Sequence, residues 1–270
     1  MKLAVSNIAW TAEEDAVIAQ RLRDAGADAL EVAPSRVFAD VAAATSEDAL
    51  AVKADWAAEG LPIVSLQALL FGQPDLRLFG TARDQDAFVD YLAHVMARAG
   101  ELGCGPLVFG SPGNRKRGRL SLDQAYDAAL PVLRRVAEIA AETGTYFCLE
   151  ANATGYGCDF MTQLSEAAEM VRRVDHPNMR MVLDTGNMLM AGEDVTAIEP
   201  VLPLVQHVHF SAPQLAPIAE HAAFLRQVLS GLKTAGYSGY VTLEMRKTDS
   251  LTPLLENLAF LRWELDEAMA

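Results

Sequence analysis

The feature that most restricts how this chain folds is a recurrence. Eight short apolar runs of strand-forming residues alternate with longer stretches of helical periodicity. The runs are Leu3–Asn7, Ala29–Val32, Pro62–Gln67, Pro106–Gly110, Tyr146–Glu150, Met179–Asp184, Val205–Phe210 and Tyr240–Glu244. They return roughly every thirty to forty residues, the length of a βαβ unit. Thr11 with Glu14 and Ser121 with Gln124 match capping boxes, in which side-chain oxygens take up the unpaired N–H groups of a helix start. Gly26, Gly60, Gly103, Gly144 and Gly236 close helical stretches just before the next run. Eight strand–helix units predict an α/β fold, a single (β/α)8 TIM barrel filling residues 1–270 as one domain. The competing arrangement, an open doubly wound sheet, lacks its glycine-rich GxGxxG turn after the first run.

Composition removes several function classes. With 51% hydrophobic and 21% charged residues the chain reads as globular rather than disordered. No apolar run is long enough to span a bilayer, so no membrane partner is expected. Thirty-six acidic against 22 basic residues give a net charge of -14, which opposes nucleic acid as a partner. One basic cluster stands out, Arg115-Lys116-Arg117-Gly118-Arg119, either a solvated loop or a contact for a substrate anion. Cys104, Cys148 and Cys158 are too few and scattered for a disulfide framework. With a start, Met1–Val5, that enters strand-like sequence and has no cleavable-signal pattern, they predict a cytoplasmic protein.

In a barrel of this kind chemistry gathers at the C-terminal strand ends. Four strong metal-ligating side chains fall there: Glu150 ending the fifth run, Asp184 the sixth, His209 near the end of the seventh and Glu244 ending the eighth. A carboxylate behind an apolar run is costly unless paired. Four such groups on consecutive strands suit one shared divalent cation, with Mn²⁺ first and Mg²⁺, Co²⁺ or Zn²⁺ as alternatives. The plainer account pairs them with Arg246, Arg180 or Lys247.

These residues carry a resemblance. Glu150, Asp184-Thr185-Gly186, His207-Val208-His209 and Leu243-Glu244-Met245 together resemble the xylose isomerase-like TIM barrels. That group is the sugar phosphate isomerase/epimerase superfamily of AP endonuclease family 2 type, which includes ketose 3-epimerases, inosose dehydratase and endonuclease IV. The ordered spacing makes it specific: Glu150 to Asp184 spans 34 positions, Asp184 to His209 25, and His209 to Glu244 35. The resemblance implies one metal held by Glu150, Asp184, His209 and Glu244, with Glu150 and Glu244 doubling as an acid/base pair. It implies a small sugar-like substrate and a homodimer or homotetramer. The expected reaction is isomerisation or epimerisation of a sugar, ketose or keto-acid through an enediolate. A metal-dependent lyase or dehydratase shares that first step and is the alternative. An endonuclease IV-like role needs more histidines than the five present, and a barrel without catalysis would have no use for an intact ligand set.

The surrounding positions depart from ketose 3-epimerases. Asn187 stands where many members carry histidine, Tyr156 where those enzymes tend to carry glutamate, and no arginine follows the seventh run. Substrate contacts are expected from Arg246, which alternation would place on Glu244's inward face, and from Asn187, His207, Trp10 and Gln67. His207 otherwise supports His209 or packs in the core, and Trp10 otherwise packs at the rim. Glu31 and Gln67 either line the mouth or pack below it. Residues 71–80 form a long loop that could close as a lid. His94, His176 and His221 read as structural.

Overall fold

The computed structural model describes residues 1–269. Its strands close in chain order into one parallel barrel, with the eighth paired back on the first. β1 (Lys2–Ser6) leads to α1 (Asp15–Asp24), and β2 (Ala29–Val32) to the short α2 (Pro34–Val37) and to α3 (Ser46–Ala58). β3 (Ile63–Leu66) precedes α4 (Ala82–Leu102), and β4 (Pro106–Phe109) precedes α5 (Leu122–Glu142). β5 (Tyr146–Glu150) and α6 (Leu164–Val174) are followed by β6 (Met179–Asp184) and α7 (Thr185–Ala191). β7 (Val205–Phe210), α8 (Ala222–Thr234), β8 (Tyr240–Leu243) and α9 (Thr252–Met269) complete the circuit.

The predicted runs and the strands agree to within one residue at each end. Asn7 opens a 3-10 turn, while Gln67 and Glu244 lie one position past their strands. Their backbones stay in the ladder: Gln67 N donates to Val32 O at 3.0 Å and Glu244 N to Phe210 O at 3.1 Å. Both side chains are therefore held at the rim with strand precision. Gln124 and Ser121 cap α5 as expected, whereas Thr11 and Glu14 cap a 3-10 turn, Ala12–Glu14, that runs into α1. Thr45 with Asp48 and Thr81 with Asp84 are two further capping boxes, with aspartate as the third-position acid.

Alternation along the strands separates two environments. Leu3, Val5, Leu30, Phe109, Leu149 and Leu243 point outward into the main hydrophobic core beneath the helices. The inward set is different in kind. Val108, Cys148 and Val182 form a small apolar cluster of their own, and around it, Ala4 and Ala29 apart, many inward positions are polar: Ser6, Glu31, Ser65, His207, His209 and Thr242 are all buried. The barrel interior is thus a polar shaft rather than layers of branched aliphatics.

Candidate metal centre

The shaft ends in the four expected ligands. Asp184 and His209 are direct partners across the β6–β7 ladder, and Glu150 and Glu244 arrive from the flanking strands β5 and β8. Nδ1 of His209 lies 3.2 Å from Glu244 Oε2, 3.3 Å from Glu150 Oε1 and 3.8 Å from Asp184 Oδ2. One donor atom from each of the four falls within 4.8 Å of every other. All four residues are buried, and the three carboxylates line a pocket of about 200 Å³ at the C-terminal mouth of the barrel.

Each carboxylate is aimed by neighbours. Asn152 Nδ2 donates to Glu150 Oε2 at 2.6 Å, and Asn152 is itself held through Oδ1 by Arg115 Nη2 at 2.7 Å. The same Nη2 donates to the Glu150 carbonyl at 2.7 Å, so a fully buried guanidinium braces the end of β5. Asp184 caps α7, accepting from Asn187 N at 2.6 Å, and receives Ser211 Oγ at 2.8 Å. Ser211 in turn accepts from Gly186 N at 3.0 Å and exchanges backbone bonds with Thr185 Oγ1. The glycine of Asp184-Thr185-Gly186 has a steric reason: a Cβ there would stand 2.4 Å from Ser211 Oγ. Gly110 has a similar one, since its Cβ would lie 2.5 Å from Glu150 Oε2.

Below the ligands sits Glu31, with a fully buried side chain. Its Oε1 contacts His209 Nε2 at 2.9 Å, its Oε2 contacts His207 Nε2 at 2.8 Å, and Ser65 Oγ donates to Oε2 at 2.8 Å. His207 also shares a hydrogen bond of 3.1 Å with Thr242 Oγ1. An anion beside Nε2 of His209 keeps a proton on that nitrogen, so the proton a cation would displace is the one on Nδ1, among the three carboxylates.

The electrostatics are those of a site built for a cation. Burial, then the charges of Glu150 and Glu244, push Asp184 up to about 7, and burial likewise raises Glu244. For His209, burial opposes the charged form, yet Glu31 and Glu244 outweigh it and hold the imidazole well above its ordinary value. Burial also works to raise Glu31, but His209 and His207 beside it hold its carboxyl below the usual range. Among the described residues no Lys or Arg forms an ion pair with Glu150, Asp184 or Glu244. Arg180 reaches Pro203 O at 2.8 Å, and Arg246 and Lys247 are exposed. The ion-pair account of these carboxylates is thereby corrected. Both ring nitrogens of His209, and Glu31 Oε1 beside Nε2, are buried without an aligned hydrogen-bond partner. A divalent cation with donors at about 2.1 Å keeps neighbouring ones about 3 Å and opposed ones about 4.2 Å apart, so the separations and the O/N donor set fit such an ion.

Comparison with known proteins agrees with this architecture. The family model for xylose isomerase-like TIM barrels matches residues 19–263. The chain belongs to that family. No curated protein matches it in sequence. Among solved structures it is similar to 3-keto-D-glucoside 4-epimerase from E. coli, at 20% identity and a TM-score of 0.75, covering 97% of this chain and 99% of the other. A structure of L-ribulose 3-epimerase is similar at 17% identity and a TM-score of 0.80, covering 100% and 96%. The structure described as the probable 3-DHS dehydratase of Bacillus anthracis is similar at 16% identity and a TM-score of 0.73, covering 97% and 98%. At these identities the likeness is one of fold.

Within this xylose isomerase-like barrel the other expected residues divide. Asn187 and Gln67 line the mouth; Asn187 Oδ1 accepts from Ala153 N at 2.9 Å and Gln67 bonds Ser6 Oγ. His207 is sealed one layer down against Glu31 and does not reach the pocket. Trp10 is buried away from it, its indole N–H donating to Asp15 Oδ1 at 2.6 Å. Arg246 is exposed, a correction to the alternation argument: β8 ends at Leu243, and beyond it Arg246 N turns to Leu215 O at 2.9 Å. The basic cluster divides, with Lys116 and Arg119 exposed as the solvated-loop reading expects. Arg115 lies inside, and Arg117 is bound to Asp159 through its backbone N (2.8 Å) and Nε (2.6 Å). Residues 71–80 are anchored rather than free: Asn114 Nδ2 holds the carbonyls of Gln73 and Leu76 at 2.7 Å, and Leu78 N donates to Asn114 O at 2.8 Å. His94, His176 and His221 are absent from the mouth. Tyr156, Asn152 and Ser211 line it. Ser211 continues the inward series 207, 209, 211 and so was legible by parity; Asn152 and Arg115, on loops, were not. All three cysteines are buried and free, and no described helix is long and apolar enough to cross a membrane.

Proposed function

We propose that this chain is a divalent-metal-dependent isomerase or epimerase of a sugar, ketose or keto-acid derivative, with Mn²⁺ the first ion to test. One observation carries the reading: three buried carboxylates and an imidazole nitrogen converge within 4.8 Å at the open end of the barrel, with no Lys or Arg ion-paired to them among the described residues. A cation bound there supplies Lewis-acid polarisation of a substrate carbonyl. Glu150, oriented by Asn152, takes the proton from the carbon next to that carbonyl, and Glu244 returns one from the other side. Asn187, Tyr156 and Gln67 line the same pocket and offer hydrogen-bonding groups to sugar hydroxyls. Burial raises the Tyr156 phenol, keeping it a neutral donor.

A lyase or dehydratase reading is supported by the fold likeness to the 3-DHS dehydratase structure, and it differs only after the first proton transfer. The test is metal content by elemental analysis after chelation and Mn²⁺ reloading, beside Asp184→Ala, followed by ketose incubation in D₂O. About one ion per chain, lost in the variant, with deuterium entering the substrate, is the expected result. Release of water from the substrate moves the assignment to a dehydratase. No stoichiometric metal, or full turnover by both Glu150→Gln and Glu244→Gln, overturns the mechanism.

A further inference from the structure

Next to the metal pocket lies a larger recess of about 610 Å³, walled by the loops after β3 and β4. The two cavities share Ala68, Ser111 and Pro112 as a common threshold. Ala68 (φ 52) and Ser111 (φ 45) are both non-glycine residues in the left-handed region, a backbone strain that persists only where the surroundings impose it. The recess has no charged residue in its lining. Its walls are largely apolar, with Leu70, Pro74 and Pro112 below and Phe71, 72% exposed, at the edge. The Asn114 bonds that tie down residues 73–78 make it a preformed wall.

Size separates the roles of the two cavities. About 200 Å³ beside the carboxylates is below the roughly 300–1,000 Å³ of pockets that enclose whole drug-sized ligands, so it suits a single sugar unit. The adjoining 610 Å³ is three times that volume and opens from the same threshold. A phosphate or carboxylate on the far end of the substrate would meet no cation in the lining; of the nearby basic cluster Arg115 is buried and Arg117 is bound to Asp159, while Lys116 and Arg119 are exposed outside that lining. A ring with an apolar face would meet Phe71 and the two prolines.

We propose that the recess is a second subsite, receiving an uncharged ring that the substrate carries beyond its reacting sugar unit. The substrate is then a ring-extended sugar that keeps a carbonyl on its reacting unit, such as a keto-glycoside, not a free or phosphorylated monosaccharide. This rests on the reading that the metal pocket takes a sugar, and its test is a binding measurement that needs no turnover.

The probes are methyl β-D-glucopyranoside, phenyl β-D-glucopyranoside and cellobiose, titrated by ligand-observed NMR against the Mn²⁺-loaded protein. The phenyl glucoside or cellobiose should bind at least tenfold more tightly than the methyl glucoside, and which of the two gains more tells an aryl from a glycosyl occupant. Gly113→Trp enters open space at a lining position without positive φ, and Phe71→Ala trims an exposed edge, so the fold should tolerate both; thermal melts check this. Each should bring the ratio of affinities down toward one. Equal binding of all three probes by the wild type, or a preference that survives both variants, overturns the proposal. So does a change of oligomeric state on Gly113→Trp, which assigns the recess to a second copy of the chain. Recess-dependent binding without deuterium uptake into any ketose or keto-glycoside keeps the subsite and removes the isomerase reading; uptake without recess-dependent binding keeps the isomerase and removes the subsite.

Discussion

Replacing Glu31 with glutamine is the sharpest test of how this site is built, because Glu31 is fully buried beneath the ligands and outside the lining of the metal pocket. Its two oxygens serve two imidazoles, His209 Nε2 at 2.9 Å and His207 Nε2 at 2.8 Å. Glutamine keeps the shape but offers one acceptor where the carboxylate offers two, and its amide N–H₂ must face one ring nitrogen. If that ring is His209, its proton moves to Nδ1, the atom aimed at Glu150 and Glu244, and the ligand is lost. If it is His207, the buried contact with Thr242 rearranges instead. Removing an outer partner of a metal-bound histidine weakens affinity about 10- to 100-fold, about 1.4–2.8 kcal/mol at 1.4 kcal/mol per decade. The assay is competitive Mn²⁺ titration against a chelating indicator at pH 8, with Ser65→Ala as the milder control, since Ser65 contributes a single bond of 2.8 Å to Glu31. The deficit should narrow at pH 6. Glu31 helps hold the His209 proton well above its ordinary range, so its loss also weakens the proton that competes with the metal. Unchanged affinity at both pH values refutes the reasoning; an equal deficit at both refutes the part assigned to His209.

Three further outcomes follow from the same geometry. Asp184 has a folded value of about 7, above its unfolded 3.8, so the metal-free folded state binds the extra proton between them. Stability of the metal-free protein should therefore fall as pH rises from about 4 to 7. Urea unfolding across that window should show the slope in the wild type and a flatter one in Asp184→Asn; a steeper slope in the variant contradicts the assignment. Mn²⁺ at about 100 times its Kd should stabilise the wild type by about 2.7 kcal/mol at pH 8 and by less at pH 5.5, read by thermal melts. Gly110→Ala places a methyl 2.5 Å from Glu150 Oε2, so it should lower deuterium exchange at least tenfold while costing about 1–3 kcal/mol of stability; wild-type exchange would show that the carboxylate position is not critical.

Parity was the most informative signal in the sequence. Once the strands are placed, every second residue faces the shaft, and the rule finds Glu150, Asp184, His207 and His209 together with Glu31 beneath them and Ser211 beyond. It fails where the ladder stops. Arg246 was expected inward two positions after Glu244, but β8 has ended and the chain has turned toward Leu215. Arg115 fails for the opposite reason: in a run of basic residues its composition suggests a solvated loop, yet its guanidinium is committed to Glu150 O and Asn152 some 35 positions away. Loop residues reach the site by tertiary contact, and nothing local in the sequence records that.

The polar shaft has an energetic consequence. A barrel of this size normally fills its interior with branched aliphatics, whereas here Glu31, His207, His209, Ser65 and Thr242 occupy it. Burying like-charged carboxylates opposes folding, as the raised Asp184 and Glu244 show. Glu31 limits that cost from below by supplying an anion to two imidazoles, and a divalent cation would limit it from above by neutralising the carboxylates. The two supports act on opposite nitrogens of the same ring, His209, so they are coupled: weakening one changes the demand on the other. Glu31→Gln combined with Asp184→Asn should therefore change the stability of the metal-free fold by an amount that departs from the sum of the single changes, because both carboxylates act on His209. Strict additivity in a double-mutant cycle would separate the layers and leave Glu31 a packing residue.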